Sequence, residues 1–364
     1  MIQRVTDNDS IRVGFEKIEA ASLSKHACLA SASLGREHPE KACFIRTDFQ
    51  RDVDRIIHSN SFRLLKHKTQ AFLSPNNDHF RTRLTHTLEV FCTARSIARC
   101  LSLNSDLTEA IAFAHDIGHT PFGHGGEAVL NELSDSGFHH ATHGVRVLTK
   151  LEKKGKGLNL TKEVIDGVLK HSKGQKGKAF YDENSNKPLT VEAQVVRIAD
   201  LIAYLNHDLD DALRAGVVCN EELPKDLIDF LGTRHSVRIH KMIKDIIDNS
   251  QDSPLIKMSQ PMEEATEKLK KFMFENVYMN PVLDVPTQKA KNLLRQIAEY
   301  YIKNQDVLLK KINKAPDDKT SFNRLLIDHL ASMTDDCAIR TFEEIFMPKF
   351  DVTAKIFNKS GKPK

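Results

Sequence analysis

The sequence predicts an all-α fold, a helical bundle with additional C-terminal helices. Three observations predict it: apolar residues recur at every third or fourth position, glycines, prolines and capping residues separate these segments, and alternating β-strand patterns are scarce. The chain has 364 residues, of which 40% are hydrophobic and 28% are charged. This length and composition suit a globular protein with a sizeable core.

The predicted helices follow one another with few interruptions. The first clear helix covers 84–101, where apolar residues recur on one face. The next has Asp106 as its N-cap, with Glu109 at the capping-box position, and ends at Gly118. Another helix starts near Gly125. The remaining predicted helices follow Thr161 or cover 190–215, 223–230, 234–249, 262–278, 287–304 and 320–346.

The chain divides into three predicted parts. A polar stretch at 250–261 separates a catalytic helical core over 51–250 from a C-terminal helical region over 251–364. We expect the C-terminal region to complete the substrate pocket. We expect residues 1–50 to contribute to contacts in an oligomer.

Cysteine usage and hydropathy predict the compartment. No apolar run approaches the ~20 residues needed to span a bilayer, and the first residues are charged rather than signal-like. The six cysteines lie far apart and form no CxxC pair, which argues against a disulfide scaffold or a zinc ribbon. We therefore predict a cytoplasmic protein that does not bind membranes.

The net charge of +4 is too small to indicate nucleic-acid binding by itself. The charge is uneven, however, since residues 150–187 contain ten lysines and five acidic residues. This segment is either a solvated loop and helix face or a positive rim that attracts polyphosphate. Within it, the polar stretch 172–189 predicts a mobile loop.

Histidines concentrate in one part of the chain, with eight of the 17 between His86 and His171. The stretch AHDIGHTPFGHGGE, residues 114–127, places a His-Asp pair at the end of an apolar helix. The chain has a second such pair, His207–Asp208, and chance alone would supply about one in a chain of this composition. The pair is therefore weak support for a metal site until its surroundings are considered.

Four scattered residues form the predicted metal site. His86 lies on the preceding long helix, His115 and Asp116 form the pair, and Asp200 lies on helix 190–215. Two imidazoles and two carboxylates suit one divalent ion of the Mn, Fe, Ni or Zn type. Because Mg²⁺ prefers oxygen ligands, we expect it only together with substrate.

Helix 190–215 carries an apolar stripe and an unusual polar face. The members of that face are Asp200, Tyr204, His207, Asp208 and Asp211. The face is either the solvated side of an amphipathic helix or one wall of a polar cleft. It lacks the lysines and glutamates that are common on solvated faces.

The glycines of residues 114–127 predict a tight turn. Pro121 and the glycines prevent the helix from continuing, so the turn delivers His119 and His124 beside the metal. Glu127 shares a helix face with His124 and can orient and charge its imidazole. A helix start beside several histidines makes a phosphate pocket. The alternative is that both histidines only cap and pack the loop.

Several long motifs in the same order resemble the HD-domain superfamily, and within it the deoxynucleoside triphosphate triphosphohydrolase branch, the dGTPase-like proteins. The motifs are RDVDRIIHSNSFRLLKHKTQAF, THTLEV, AHDIGHTPFGHGGE, IADLIAYLNHDLDDALRAG and DHLASMTDDCAIRTFEEIFMP. They lie within about residues 35–350. The resemblance implies an HD-domain helical bundle in which a metal-activated water attacks the α-phosphorus of a deoxynucleoside triphosphate (dNTP), giving deoxynucleoside and inorganic triphosphate.

The resemblance also implies roles for individual residues. The metal is held by the four residues named above. His124, supported by Glu127, transfers a proton beside the metal, and His119 and His140 contact phosphate. The implied substrate contacts are Gln70 at the sugar 3′-hydroxyl, Arg83 near the base or α-phosphate, and Tyr204 and Asp208 along the sugar and phosphate pocket. The implied partners are the dNTP, in some members a nucleotide effector, and further copies of the chain in a homo-oligomer, a tetramer or hexamer.

The chain departs from the family pattern at four positions. Leu64 replaces an arginine of FRRL, and Ala141 interrupts the FxHNxQ pattern. Leu201 follows the aspartate of IAD, where a charged or polar residue is common, and Cys337 stands where a tyrosine is expected. These departures concern base preference, 3′-hydroxyl recognition and the effector, whereas the four ligands and the HxxE pair are intact.

Two other functions remain open. An HD phosphohydrolase for another nucleotide (a nucleoside monophosphate, a cyclic nucleotide or a guanosine polyphosphate) could use the same ligands. A nucleotide sensor or weak single-stranded nucleic-acid binder with low turnover would depend on the lysine-rich segment. Only Phe180 and Tyr181 could stack on bases there.

Overall fold

A computed structural model of the chain describes residues 10–73, 79–172, 187–317 and 320–348. Over these ranges the protein is all-α, which confirms the predicted fold class, and the extended pairings are isolated bridges such as Thr69 with Thr82. Most of the predicted loop 172–189, including Phe180 and Tyr181, lies outside the described residues.

The helices are numbered in chain order. Those of the first half are α1 (Ile11–Ser22), α2 (Asp48–Ile57), α3 (Asn60–Leu64), α4 (Arg83–Cys100), α5 (Ser105–Ala114), α6 (Gly123–Leu133), α7 (His140–Arg146), α8 (Glu152–Gly155), α9 (Lys162–Lys170) and α10 (Val191–Arg214). Those of the second half are α11 (Lys225–Leu231), α12 (His235–Ser250), α13 (Gln260–Met273), α14 (Pro281–Lys303), α15 (Gln305–Ile312), α16 (Phe322–Ser332) and α17 (Asp335–Phe346).

Side-chain caps fix where the helices of the N-terminal half begin. Thr82 and Thr190 cap α4 and α10, the two long helices that carry site residues. The predicted cap of α5 is wrong, because Asn104 rather than Asp106 accepts the hydrogen bond, from the Leu107 amide at 3.2 Å. Asp106 lies in the first turn instead, where its charge interacts favourably with the helix dipole.

Caps also explain the differences in the C-terminal half. Ser259 and Asn280 start α13 and α14 earlier than the apolar periodicity indicated. The single helix predicted over 320–346 is wrong, because it is two helices. Met333 is extended, and Thr334 then accepts a hydrogen bond from the Cys337 amide and starts α17.

Two clusters of buried apolar side chains form the core. In the first, α10 lies at the centre and packs against α4, α5, α9 and α12. In the second, α6 packs against α14 and α16. The turn between α5 and α6 connects the two clusters; His115 and His119 lie on it, and His124 lies in the first turn of α6. The predicted boundaries at 50 and 250 remain predictions.

Among the described residues, no helix combines the length and the apolar character that crossing a bilayer requires.

Candidate active site

Three helices of the first cluster bring the predicted metal ligands together. His86 comes from α4, Asp200 from α10, and the His115–Asp116 pair from the turn that follows α5. The Nε2 atom of His86 lies 3.3 Å from Nε2 of His115 and 3.2 Å from Oδ1 of Asp200. The Asp116 carboxylate lies 3.8 Å from each of these imidazoles. The four side chains therefore converge on one point.

Hydrogen bonds behind the imidazoles fix which nitrogen faces the site. His115 donates from Nδ1 to the Ala112 carbonyl oxygen at 2.7 Å, so its Nε2 carries a lone pair when the ring is neutral. His86 contacts Nε2 of His207 through Nδ1, at 2.8 Å. Nδ1 of His207 lies 2.9 Å from the Asp208 carboxylate and is therefore the protonated nitrogen. It follows that His86 donates to His207 and turns a second lone pair towards the site.

The donor set fits a divalent cation. The His115 imidazole and both carboxylates lie within 3.8 Å of Nε2 of His86, a mixed nitrogen and oxygen donor set that suits such an ion. Burial raises the pKa of Asp200, but the His86 ring, 3.2 Å away, and the nearby imidazoles of His115 and His171 lower it more strongly. Burial likewise opposes ionisation of Asp116, but Arg83 and three imidazoles hold its pKa well below the usual range. Both carboxylates are therefore negatively charged, as the predicted metal ligands should be.

The polar face of α10 is buried, so the solvated-side interpretation is wrong. His207, Asp208 and Asp211 are all less than 5% exposed. Asp208 accepts a hydrogen bond from the Tyr278 hydroxyl at 2.7 Å in addition to its contact with His207. Burial, with Asp200 and Asp208 nearby, raises the pKa of Tyr204, which is therefore a neutral hydroxyl. The face forms the wall behind the metal centre.

Close backbone packing explains two of the glycines after α5. A Cβ atom on Gly118 would lie 1.9 Å from the His140 carbonyl oxygen, so only glycine lets α7 approach the ligands. A Cβ atom on Gly126 would lie 2.0 Å from the Pro121 carbonyl oxygen. The helix before this turn ends at Ala114 rather than at the predicted Gly118, because tighter hydrogen bonds replace the helical ones.

The start of α6 carries the predicted proton-transfer pair. Nδ1 of His124 lies 3.1 Å from one carboxylate oxygen of Glu127, and Nδ1 of His140 lies 2.9 Å from the other. Burial opposes ionisation of Glu127, but these two hydrogen bonds lower its pKa. His119 stacks on His140 with ring centroids 3.9 Å apart. The His124 side chain is 79% exposed, so it forms the outer edge of the group.

Two predicted substrate contacts lie beside this turn. A Cβ atom on Gly123 would lie 3.1 Å from the Gln70 backbone carbonyl and 3.2 Å from the Arg83 guanidinium. Oε1 of Gln70 is buried and has no hydrogen-bond partner in the described part of the chain. Arg83 donates to Asp116 at 2.8 Å, so its guanidinium is bound to a metal ligand.

The C-terminal helices hold the turn in place. Asp335, in the first turn of α17, accepts hydrogen bonds from the Phe122 amide and the Thr69 amide, both at 2.9 Å. The Lys68 ammonium is buried and donates to the backbone carbonyls of His119 and Ala331. Burial lowers the pKa of Lys68 to about 7. These contacts join the two core clusters at the site.

Sequence reasoning assigned no role to several residues that the structure brings to the site. They are Lys68, His171, His207, Tyr278 and Asp335. His207 belongs to the second His-Asp pair, which chance could have supplied, and to the polar face of α10, where no individual role was assigned to it. The other four carry no spacing signal, because their contacts are made between distant parts of the chain.

Three of the four departures from the family pattern lie in packed surroundings. Leu201 is fully buried in the first cluster, where an apolar side chain is stable. Ala141 is 1% exposed on α7, and Cys337 packs against the second cluster. Leu64 is the last residue of the short helix α3.

The sequence matches two known domain families and many known proteins. Residues 83–205 match the HD domain, and residues 256–344 match the phosphohydrolase-associated domain. A deoxyguanosinetriphosphate triphosphohydrolase-like protein of Caldanaerobacter subterraneus subsp. tengcongensis is 50% identical over 92% of this chain and 95% of its own length. One of the same name from Desulfatibacillum aliphaticivorans is 48% identical over 93% of this chain and 99% of its own length.

A solved structure of a hypothetical protein from Aquifex aeolicus has 21% identity and a TM-score of 0.43, covering 81% of this chain and 71% of that one. The two domain matches cover the ligand-bearing helices α4, α5 and α10 and the helices that hold the turn. The chain therefore belongs to the deoxyguanosinetriphosphate triphosphohydrolase-like family of HD-domain phosphohydrolases.

Proposed function

We propose that the protein hydrolyses dNTPs at the α-phosphorus and releases deoxynucleoside and intact triphosphate. The observation that carries the proposal is the cluster of His86, His115 and Asp200, with Asp116 3.8 Å from both imidazoles, beside the group of His119, His124, Glu127 and His140. A metal centre next to a cluster of imidazoles suits a phosphate-containing substrate. The names of the relatives support a deoxynucleotide, because those proteins are called deoxyguanosinetriphosphate triphosphohydrolase-like.

His86, His115, Asp116 and Asp200 would hold the divalent ion. An ion with this mixed nitrogen and oxygen donor set is of the Mn, Fe, Ni or Zn type, and Mg²⁺ would enter only with substrate. When bound, it supplies Lewis-acid chemistry by lowering the pKa of water and polarising a phosphoryl oxygen. The hydrogen bonds from His115 to Ala112 and from His86 to His207 orient both rings before any ion binds.

His124 is the proposed proton-transfer residue. Water contributes its oxygen to the α-phosphorus, the bond from that phosphorus to the 5′-oxygen breaks, and the leaving 5′-oxygen takes a proton. Glu127 accepts a hydrogen bond from Nδ1 of His124, which leaves Nε2 free to exchange the proton with solvent and substrate. His119 and His140 and the N-terminus of α6 are the proposed phosphate contacts.

The proposed substrate-recognition residues are of two kinds: some contact only the substrate, and others also support the metal ligands. Gln70 is proposed to bind the sugar 3′-hydroxyl, because its buried Oε1 lacks a partner among the described residues. Tyr204 is proposed to line the sugar pocket. Arg83 and Asp208 already bind Asp116 and His207, so their proposed roles combine contact with the substrate and support of the metal ligands.

The remaining proposals concern assembly and location. A homo-oligomer, a tetramer or hexamer, is proposed to use residues 1–50, and the exposed apolar side chains of Ile18, Phe44 and Ile45 support this. A cytoplasmic location and a nucleotide effector are proposed from the sequence.

The test is to incubate the purified protein with each dNTP and Mn²⁺ and to separate the phosphate products by ion exchange. Triphosphate with deoxynucleoside is the expected result, and the four rates give the base preference. If no single dNTP is turned over, mixtures test for an effector. Orthophosphate, pyrophosphate or a linear nucleotide as product would contradict the proposal and favour another nucleotide substrate. Absence of turnover even with mixtures would favour another nucleotide substrate or the nucleotide sensor.

A further inference from the structure

A row of polar side chains connects the C-terminal helices to one ligand of the predicted metal centre. The row consists of Tyr278, Asp208, His207 and His86. The Tyr278 hydroxyl lies 2.7 Å from Oδ2 of Asp208, and Oδ1 of Asp208 lies 2.9 Å from Nδ1 of His207. Nε2 of His207 lies 2.8 Å from Nδ1 of His86. The last three side chains are less than 5% exposed, so the row is shielded from solvent.

Local structure fixes the outer end of the row. Tyr278 is the last residue of the π-helical turn Phe274–Tyr278, which follows α13. Val277 beside it is fully buried in the first core cluster, and Asn280 caps α14 two positions after Tyr278. Single π-helical turns of this kind are frequent at functional sites. The turn therefore presents the tyrosine to α10 from a different part of the chain.

Only one arrangement of protons satisfies the whole row. Burial and the Asp208 carboxylate raise the pKa of Tyr278 well above its ordinary value, so its hydroxyl stays neutral and donates. Burial raises the pKa of Asp208, but the His207 ring and the hydrogen bond from Tyr278 lower it more strongly, so this group is a carboxylate that only accepts. His207 then carries its hydrogen on Nδ1, and His86 donates from its own Nδ1. The Nε2 lone pair of His86 is left facing the ligands.

The contact between Asp208 and His207 is short but bent. Oδ1 and Nδ1 are 2.9 Å apart, yet the N–H does not point at the oxygen, because the two residues are neighbours on one helix. The carboxylate therefore acts on the His207 ring mainly through its charge. Tyr278 donates to the other carboxylate oxygen, so it holds that charge in place beside the ring.

We propose that Tyr278 is a positioning residue for the metal centre, through which the C-terminal helices set its affinity for a divalent cation. Partners behind a metal-binding histidine fix its tautomer and orientation, and Tyr278 secures two such partners at once. Without the hydroxyl, a buried carboxylate oxygen would lack this donor, which disfavours the charged carboxylate and loosens the order behind His86. The inference rests on the metal site of the proposed function and not on its substrate.

The competing account is that Tyr278 only contacts the substrate and leaves the metal centre unaffected. Mn²⁺ alone, without nucleotide, distinguishes the two accounts, because only positioning predicts a change in metal affinity. Chelator competition measures the affinity of the full-length protein for the wild type, Tyr278→Phe, His207→Leu and the double variant. Tyr300→Phe is the matched control, because Tyr300 lies on α14 and packs against Phe346 in the second core cluster.

Tyr278→Phe should lower the Mn²⁺ affinity about threefold to tenfold, less than the about 10–100-fold that losing a direct partner of a ligand costs. The control should keep the affinity of the wild type. In the His207→Leu background, Tyr278→Phe should have no further effect, because its route to His86 is already cut. Unchanged affinity in Tyr278→Phe, or losses that add in full in the double variant, would overturn the proposal.

Asp208→Asn is a second variant, which decides the matter even if Tyr278→Phe does not fold. It keeps an oxygen that can accept from Tyr278 but removes the charge beside His207, so it should lower the Mn²⁺ affinity as well. Unchanged affinity there would also overturn the proposal. A wild type that binds no Mn²⁺ would contradict the metal site itself, and this inference with it.

Discussion

The metal-ligand half of the site, His86, His115, Asp116 and Asp200, differs in construction from its outer rim, the His124–Glu127 pair at the start of α6. In the ligand half, the rings of His86 and His115 are buried and each has its second nitrogen bound. In the rim, His124 is 79% exposed and one hydrogen bond, to Glu127, holds it. The fold thus holds the predicted ligands in fixed positions, whereas the exposed rim is held less tightly. Metal content and turnover should therefore be separable by substitution.

Asp200→Asn should have the largest effect and should abolish both properties. The amide removes a negative charge from the centre, so the ion there is lost. Turnover should then fall further than the loss of proton transfer alone would cause, which is about 10²–10⁴-fold. Metal content by mass spectrometry and the rate with dNTPs check this. Asp229→Asn, an exposed aspartate of α11, is the control. Full metal content in Asp200→Asn would remove Asp200 from the ligands.

His124→Ala should separate the two properties. The variant keeps its metal, because His124 contacts Glu127 rather than the ligands of the metal centre. Its turnover should fall about 10²–10⁴-fold, the usual contribution of general acid–base catalysis. The same two measurements are made, with the exposed His240→Ala as control. A rate near that of the wild type would show that another group transfers the proton.

His207→Leu should weaken metal binding, although His207 is not itself one of the predicted ligands. The apolar side chain removes the acceptor for Nδ1 of His86, and losing such an outer partner typically costs 10–100-fold in metal affinity. His207→Gln keeps an acceptor oxygen and should recover most of the affinity. A chelator competition titration measures both. Equal losses in the two variants would assign His207 to packing alone.

Asp335→Ala should have the smallest effect. It should loosen the turn that precedes the rim residues and leave the metal ligands in place. The substitution removes the acceptor for the Phe122 and Thr69 amides, which is worth about 1–3 kcal/mol of stability. Chemical denaturation measures this loss, and metal affinity should not change. Asp336→Ala is a matched control, because the neighbouring Asp336 is exposed. A loss of metal affinity in Asp335→Ala would mean that the two halves are coupled.

The sequence predicted most of the fold, because periodicity and caps are local signals. It misplaced the start of α5 and joined α16 to α17, since the choice between Asn104 and Asp106, and the break at Thr334, depend on which side chain reaches an amide. A solvated helix face and a buried polar one have the same periodicity. Tertiary packing, against α4 and against Tyr278, distinguishes the two interpretations of α10.

Within the site, residues with a recognisable spacing could be identified from the sequence. Residues that are distant in sequence and come together only in the folded chain could not. His115–Asp116 and His124–Glu127 are close in sequence, so their proximity in the fold could be predicted. Asp335 lies 266 positions from Thr69, and no local pattern connects them. His86 and Asp200 were predicted as metal ligands because the resemblance and the helix faces pointed to them together, and the structure places their side chains 3.2 Å apart.

Hydrolysis of a dNTP in ¹⁸O-labelled water tests the central claim most directly. If water attacks the α-phosphorus, the label appears in inorganic triphosphate, and the deoxynucleoside keeps its original 5′-oxygen. Mass spectrometry of both products measures this. Label in the deoxynucleoside would place the attack on carbon. Label in orthophosphate or pyrophosphate would mean that an anhydride bond breaks instead, and either result would contradict the account.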